Sequence, residues 1–258
     1  MKNPKNNFLS YRLLFFTLLP LTFAFTRFTP ALKSLNFEPV STAAKIVTEI
    51  PALVESKINT ELYMYDSLQL DNLGLSKQAF IDGLKGYYYL LSEGKLNNDN
   101  IISIADFSLP STQKRLFIID LENHKLLFNT YVAHGRNSGK EYANHFSNRL
   151  ESKMSSPGFY VTLNTYYGDN GLSLRLEGEE KGINDNALRR AIVIHSADYV
   201  SENTVKSLGY LGRSLGCPAI PENLAQPIIQ TIKEGSCFFV YCKNQKYISR
   251  SPLLHAAS

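Results

Sequence analysis

The chain has 258 residues, 44% of them hydrophobic and 12% aromatic. That is enough for one large domain or two small ones with a real core, and it excludes wholesale disorder, a collagen-like chain or a small disulfide scaffold. The formal charge of +4 sits at the N-terminus, where Lys2, Lys5, Arg12 and Arg27 occur with no acid; beyond them basic and acidic residues balance at 23 each. A nucleic-acid reader keeps a basic surplus on its folded part, so no nucleic-acid partner is expected.

The chain opens on basic residues followed by an apolar run from Leu13 to Phe25, interrupted by Pro20 and stopped by Arg27. A membrane span needs ~20 apolar residues and an export signal ~7–15, so residues 1–27 read as a signal peptide or a short membrane anchor. No clean small-x-small cleavage site follows, which leaves cleaved signal and membrane tether both open. No cysteine follows the run, which argues against a lipoprotein. Either way the expectation is export, to the periplasm or cell envelope.

Residues 28–99 read as a linker and helical segment. Val54, Ile58, Leu62 and Tyr65 recur at helical spacing after Pro51, and Ser76 is a candidate N-cap. Phe80, Ile81, Leu84, Tyr88 and Leu91 follow on one stripe, ending at Gly94. Gly83 and Gly86 each weaken that helix by ~1 kcal/mol relative to Ala, so packing must hold it. The segment carries no candidate chemistry and reads as an appendage.

Residues 100–250 form the expected main domain. Strands are expected at 101–107, 115–121, 125–132, 158–163, 172–176, 191–195 and 236–242. Glu122-Asn123-His124 is the turn of a hairpin, and Gly168-Asp169-Asn170-Gly171 is a further turn rather than a phosphate loop. Short helices are expected at 184–190, 201–208 and 221–233. Residues 134–156 are polar and unperiodic, and loops of that length inside a compact domain are usually functional or disordered. The expected class is α+β, mainly β.

Three cysteines occur, and in an exported protein an odd number leaves a thiol over. Cys237 and Cys242, five apart in one apolar strand, should lie on opposite faces and be unable to bridge. Cys217 lies instead in Gly212-Arg213-Ser214-Leu215-Gly216-Cys217-Pro218, where no core periodicity asks for a thiol. Upstream, Ala191-Ile192-Val193-Ile194-His195 is a buried-strand run ending on a histidine at a sheet rim. A nucleophilic thiol needs a base or cation and backbone N–H groups for the oxyanion; glycine admits the reacting carbonyl and Ser214 adds a hydroxyl. A lone Cys and His so separated are equally compatible with a rim histidine and a loop cysteine.

His134, at the end of a strand, reads equally as a cleft-lining group or a solvated turn residue. His124 and His145 read as surface residues. A metal site from these three would have to converge by fold alone, no His-Glu-x-x-His or paired Cys-x-x-Cys occurs, and no metal or cofactor is expected. Asp185 and Asp198 are both near enough in sequence to orient His195, and the sequence does not choose between them.

His195 followed by Ser214-Leu215-Gly216-Cys217 resembles the His…Ser-x-Gly-Cys signature of the YkuD-type L,D-transpeptidases. The stretches Ser156-Pro157-Gly158-Phe159-Tyr160, Arg189–His195 and Gly212–Ala219 are most similar to the murein L,D-transpeptidase catalytic-domain branch, over roughly residues 100–243. The resemblance implies a β-rich fold with Cys217 as nucleophile, His195 as base and an oxyanion hole of N–H groups near Gly216 and Cys217. It also implies peptidoglycan stem peptides as partners. Attack at the L,D-peptide bond of a tetrapeptide stem would release terminal D-alanine and pass the acyl group to an amine. Two departures stand out: Leu215 occupies a position where many members carry a second histidine, and Pro218-Ala219 follow where an apolar residue and Arg are frequent. Arg213 is the candidate cation for a stem carboxylate, and in this branch a histidine such as His134 is expected near the site. Hydrolysis by the same pair and a non-catalytic wall-binding module remain as alternatives.

Overall fold

A computed structural model of the protein describes residues 56–255, which belong to one compact unit. The expected export segment, residues 1–27, and the start of the first helical stretch, Pro51 and Val54, lie outside the described residues. Among the described residues no helix is long and apolar enough to cross a membrane.

Helix α1 covers residues 56–67 and α2 covers Lys77–Ser92. The Ser76 hydroxyl accepts from the Ala79 N–H at 3.2 Å, the N-cap expected from sequence. The strands are β1 (Ile101–Asp106), β2 (Leu116–Asp120), β3 (Lys125–Thr130), β4 (Gly158–Gly168), β5 (Gly171–Gly178), β6 (Val193–Ser196), β7 (Ala219–Ile220) and β8 (Cys237–Tyr241). Helices α3 (Glu202–Leu208), α4 (Glu222–Ile232), α5 (Gln245–Ile248) and α6 (Pro252–His255) complete the described chain.

The strands form one sheet in the order β3-β2-β1-β8-β4-β5-β6-β7, antiparallel except for the β1–β8 and β6–β7 pairs. Just beyond β3, Ala133 pairs antiparallel with Ala219 of β7, through N–H···O bonds of 2.8 and 3.4 Å. The two edges of the sheet therefore meet, and the mainly β architecture is a nearly closed, barrel-like sheet with helices on it.

The central strands are apolar on both faces because both faces are covered. Ile102, Ile104, Phe117, Phe239 and Tyr241 pack with α1, α2, α5 and α6. Ile101, Ala105, Leu116, Ile118, Phe238 and Val240 pack toward α4, through Ala225, Ile228, Ile229 and Ile232. Continuous apolar runs follow from such two-sided burial.

Helix α2 is thus part of the main core rather than an appendage. Its glycines mark close approach to the sheet: a Cβ on Gly86 would fall 2.2 Å from the Phe159 ring, and one on Gly83 would fall 3.0 Å from Ile104 Cδ1. The expected helix at 184–190 is instead a series of turns. Asn184 is fully buried, with Nδ2 donating to the Phe159 and Pro157 carbonyls and Oδ1 accepting from the Glu180 N–H. A side chain committed to such tertiary bonds competes with helix formation. Strand β4 continues beyond residue 163 to Gly168 through an irregularity between Thr162 and Thr165. Strand β7 has two residues, too few to show a period.

The cysteines correct a second expectation. All three are free thiols, but Cys237 and Cys242 pack into the same cluster. The alternation that puts residues 237, 239 and 241 on one face ends with the strand at Tyr241, and Cys242 turns back onto that face.

Candidate active site

Closure of the sheet assembles the site. Strands β6 and β7 run parallel with His195 opposite Ala219, two residues after Cys217. The Cys217 sulfur lies against the start of β6, as a thiol donor 3.6 Å from the Ala191 carbonyl oxygen, and the Val193 backbone amide favours its charged form. Val193 and His195 project to the same side of β6, as residues two apart in a strand do. Ala191 adopts a left-handed backbone (φ 51°), a sparsely populated conformation for a residue with a Cβ, and its carbonyl faces the thiol.

His195 is buried, and its Nδ1 lies 2.8 Å from its neighbour Ser196's carbonyl oxygen. A carbonyl can only accept, so Nδ1 carries the proton and Nε2 the lone pair. The group orienting this histidine is therefore a backbone carbonyl, not Asp185 or Asp198. Asp185 instead accepts from the Gly182 N–H and the Asn148 side chain.

The motif turn is braced from within. Ser214 Oγ accepts from the Gly216 N–H at 3.0 Å and donates to the Cys217 carbonyl at 2.6 Å. Its hydroxyl shapes the turn, and the Gly216 N–H, expected in the oxyanion hole, is already committed. The Cys217 N–H donates to no second residue among those described. Gly216 has φ 130°, and a Cβ there would fall 2.8 Å from the Met154 carbonyl oxygen. Only glycine fits this backbone and this approach.

Two arginines hold the 134–156 loop against the turn. Arg213, half-buried over the Tyr210 ring, donates Nη1 to the Gly139 and Arg136 carbonyls at 3.1 and 3.3 Å. Arg190 Nη1 donates to Ser156 Oγ and the Ser147 carbonyl at 2.6 and 2.9 Å. Its Nη2 donates to the Met154 carbonyl and Ser152 Oγ at 2.5 and 3.2 Å. Between them, Ser155 Oγ donates to the Gly216 carbonyl and accepts from the Gly135 N–H.

His134 is 1% exposed, against the cleft-lining position considered for it. Its Nδ1 accepts from Nη2 of the fully buried Arg115 at 2.8 Å, which puts the ring proton on Nε2, toward the Gly139 carbonyl 3.4 Å away. Neither ring nitrogen is left for a ligand. Its backbone does touch the motif, since the His134 carbonyl accepts from the Ser214 N–H at 3.1 Å. His124 and His145 are exposed, and no group of metal-ligating side chains occurs among the described residues.

Electrostatically the resting site is neutral at sulfur and imidazole. Burial pushes the Cys217 thiol up, opposed by the Val193 N–H, the Arg190 cation and its own amide. Burial holds His195 below the usual histidine range, opposed by the Ser196 carbonyl. Burial and the neighbouring Arg115 charge push His134 down to about 3. Arg190, Arg115, Ser155 and Tyr199 were not singled out in the sequence. The one local signal was the Arg189-Arg190 pair just before the histidine strand.

The family model described as L,D-transpeptidase catalytic domain matches residues 71–241. Among solved structures, the chain is similar to an L,D-transpeptidase from Mycobacterium smegmatis (13% identity, 55% of this chain and 59% of that one, TM-score 0.35). It is similar also to an L,D-transpeptidase from Stackebrandtia nassauensis (12%, 66% and 69%, TM-score 0.34). L,D-transpeptidase 3 from Mycobacterium tuberculosis is a third (12%, 55% and 61%, TM-score 0.34). The chain thus spans 59% of the length of the first of these. No curated protein matches the sequence.

Proposed function

The chain belongs to the L,D-transpeptidase catalytic-domain family, and from that premise we propose that it modifies peptidoglycan by acyl transfer through a thioester on Cys217. The observation that supports this reading is the pairing of β6 with β7, which sets His195 opposite Ala219, two residues after Cys217, with the Cys217 sulfur at the Ala191 carbonyl and the His195 Nδ1 proton given to Ser196. A neutral imidazole held in that tautomer is a general base at Nε2.

In this reading His195 Nε2 takes the thiol proton as sulfur bonds the stem-peptide carbonyl carbon. The Cys217 N–H, free of other residues, donates to the oxyanion. Collapse breaks the C–N bond, and the leaving amine of the terminal D-residue takes the proton from Nε2. An acceptor amine then attacks the thioester, passing its own proton through His195 as the C–S bond breaks. Arg213, with Nη1 alone engaged among the described residues, serves the stem carboxylate through its other nitrogens. Such a substrate lies outside the cytoplasm, which fits the export signal read in residues 1–27.

Incubation with purified peptidoglycan fragments followed by mass spectrometry tests the proposal. Cross-linked dimers support transfer. Trimmed stems without dimers would replace it by hydrolysis at the same site, and unchanged fragments would leave a binding module.

A further inference from the structure

Arg190 is a half-buried cation with no acid beside it. Its four hydrogen bonds go to two backbone carbonyls and two serine hydroxyls, and none of the salt bridges among the described residues includes it. An uncompensated guanidinium held partly out of water favours an anion forming next to it. What lies next to it is the motif turn: Nη2 sits 3.1 Å from the position of a Cβ on Gly216. The segment it grips, residues 147–156, is tied to the same turn through Ser155 Oγ and the Gly216 carbonyl. Ala191, the residue after it, points its carbonyl at the sulfur.

We propose that Arg190 is the cationic positioning residue of the thiol site, joining the 147–156 segment to the Gly216–Cys217 turn and favouring negative charge at the sulfur. This rests on the reading of Cys217 as nucleophile. Arg213, the candidate cation for a stem carboxylate, gives Nη1 to the 136–139 segment and lies over the Tyr210 ring, and it is not among the charges that act on the thiol. The other titratable groups around the thiol and Arg190 are His195 on β6, Tyr199 after it and Tyr160 on β4. All three are neutral at rest: burial lowers the histidine and raises both phenols. Arg190 is therefore the charge that acts on the sulfur.

The test is the rate of Cys217 alkylation by iodoacetamide in the full chain as a function of pH, mapped by mass spectrometry. Arg190→Gln should slow labelling about tenfold below the midpoint, the effect of losing one nearby charge. Arg190→Lys should label at close to the wild-type rate, since a cation remains, while its thermal stability falls with the lost fork of hydrogen bonds. A folded Arg190→Gln with the wild-type pH profile overturns the proposal. Should that variant not fold, Arg190→Lys decides: labelling about tenfold slower in folded protein also overturns it. Alkylation reads the thiol without turnover, so failure of the catalytic reading is seen separately, as full activity in Cys217→Ser.

Discussion

At the scale of single residues, three thiols in one chain occupy different environments, and this makes the nucleophile identifiable. Cys217 is half-buried at a turn, whereas Cys237 and Cys242 are sealed in the core. Burial raises both core thiols, Cys242 to about 12. Iodoacetamide should therefore label Cys217 selectively in the folded protein, and Cys217→Ser should lose nearly all turnover while keeping its thermal midpoint. Equal labelling of all three cysteines, read by peptide mapping, would sink the assignment. The histidines separate by pH. His195 below its pKa is protonated and cannot act as base, so the rate should rise with pH through a limb lying below the usual ~6.5 of histidine. His195→Gln should abolish that limb and cut the rate by ~100-fold or more. His134, pushed down to about 3, is neutral throughout that range and contributes no limb. His134→Ala should instead cost about 2 kcal/mol of stability, because the buried Arg115 loses an acceptor. Loss of the pH limb in His134→Ala with its survival in His195→Gln would reverse the two roles.

At the scale of elements, the helix–sheet contact explains two glycines that look like defects in the sequence. Alanine is the better helix former by about 1 kcal/mol, yet Gly86 lies where a Cβ would overlap Phe159, itself stacked on Phe239 at 4.1 Å. Neither ring has space to yield, so Gly86→Ala should destabilise the protein by about 1–3 kcal/mol, measured by chemical denaturation. Gly83→Ala meets the side-chain ends of Ile104 and Ile102, at 3.0 and 3.4 Å, which can give by a few tenths of an ångström, and should be close to neutral. Equal effects at the two positions would show that α2 does not approach the sheet as described. The same elements explain which parts of the fold were legible. Strands β1, β2 and β8 were, since two-sided burial writes a continuous apolar run. The turns at 184–190 were not, because the competing partners of Asn184 lie more than twenty residues away in sequence.

At the scale of the whole molecule, the C-terminal elements α5 and α6 are fastened to the sheet through one buried carboxylate. Glu180 accepts from the Phe159 N–H at 2.8 Å and from the Tyr247 and Ser251 hydroxyls. Burial outweighs these bonds and pushes it up to about 7. A carboxyl group raised on folding binds its proton more tightly in the native state, so stability falls as pH rises from its ordinary value of 4.5 to about 7, and is level above that. The wild-type thermal midpoint, taken relative to that of Glu180→Gln, which cannot ionise, should accordingly drop between pH 5 and about pH 7.5. Asp82 and Asp106, raised by burial, and His134 and His195, lowered by it, contribute slopes of opposite sign that both proteins share and that cancel in the comparison. A Glu180→Gln protein with the full wild-type slope would place the dependence elsewhere.

What the sequence by itself determined is local. The strand that carries His195, seen as Val193–Ser196 rather than 191–195, the glycine turn bearing Cys217 and the Ser76 cap are each written in a few consecutive residues, where periodicity, turn chemistry and residue type act together. Only the tertiary structure decided what surrounds them. Closure of the sheet between Ala133 and Ala219 goes with the sealing of His134 onto Arg115, and the fold seats Arg190 against the turn that bears the sulfur. These outcomes turn on distances between segments far apart in the chain. Burial changes what a histidine or arginine does, and neither residue's sequence neighbours encode it.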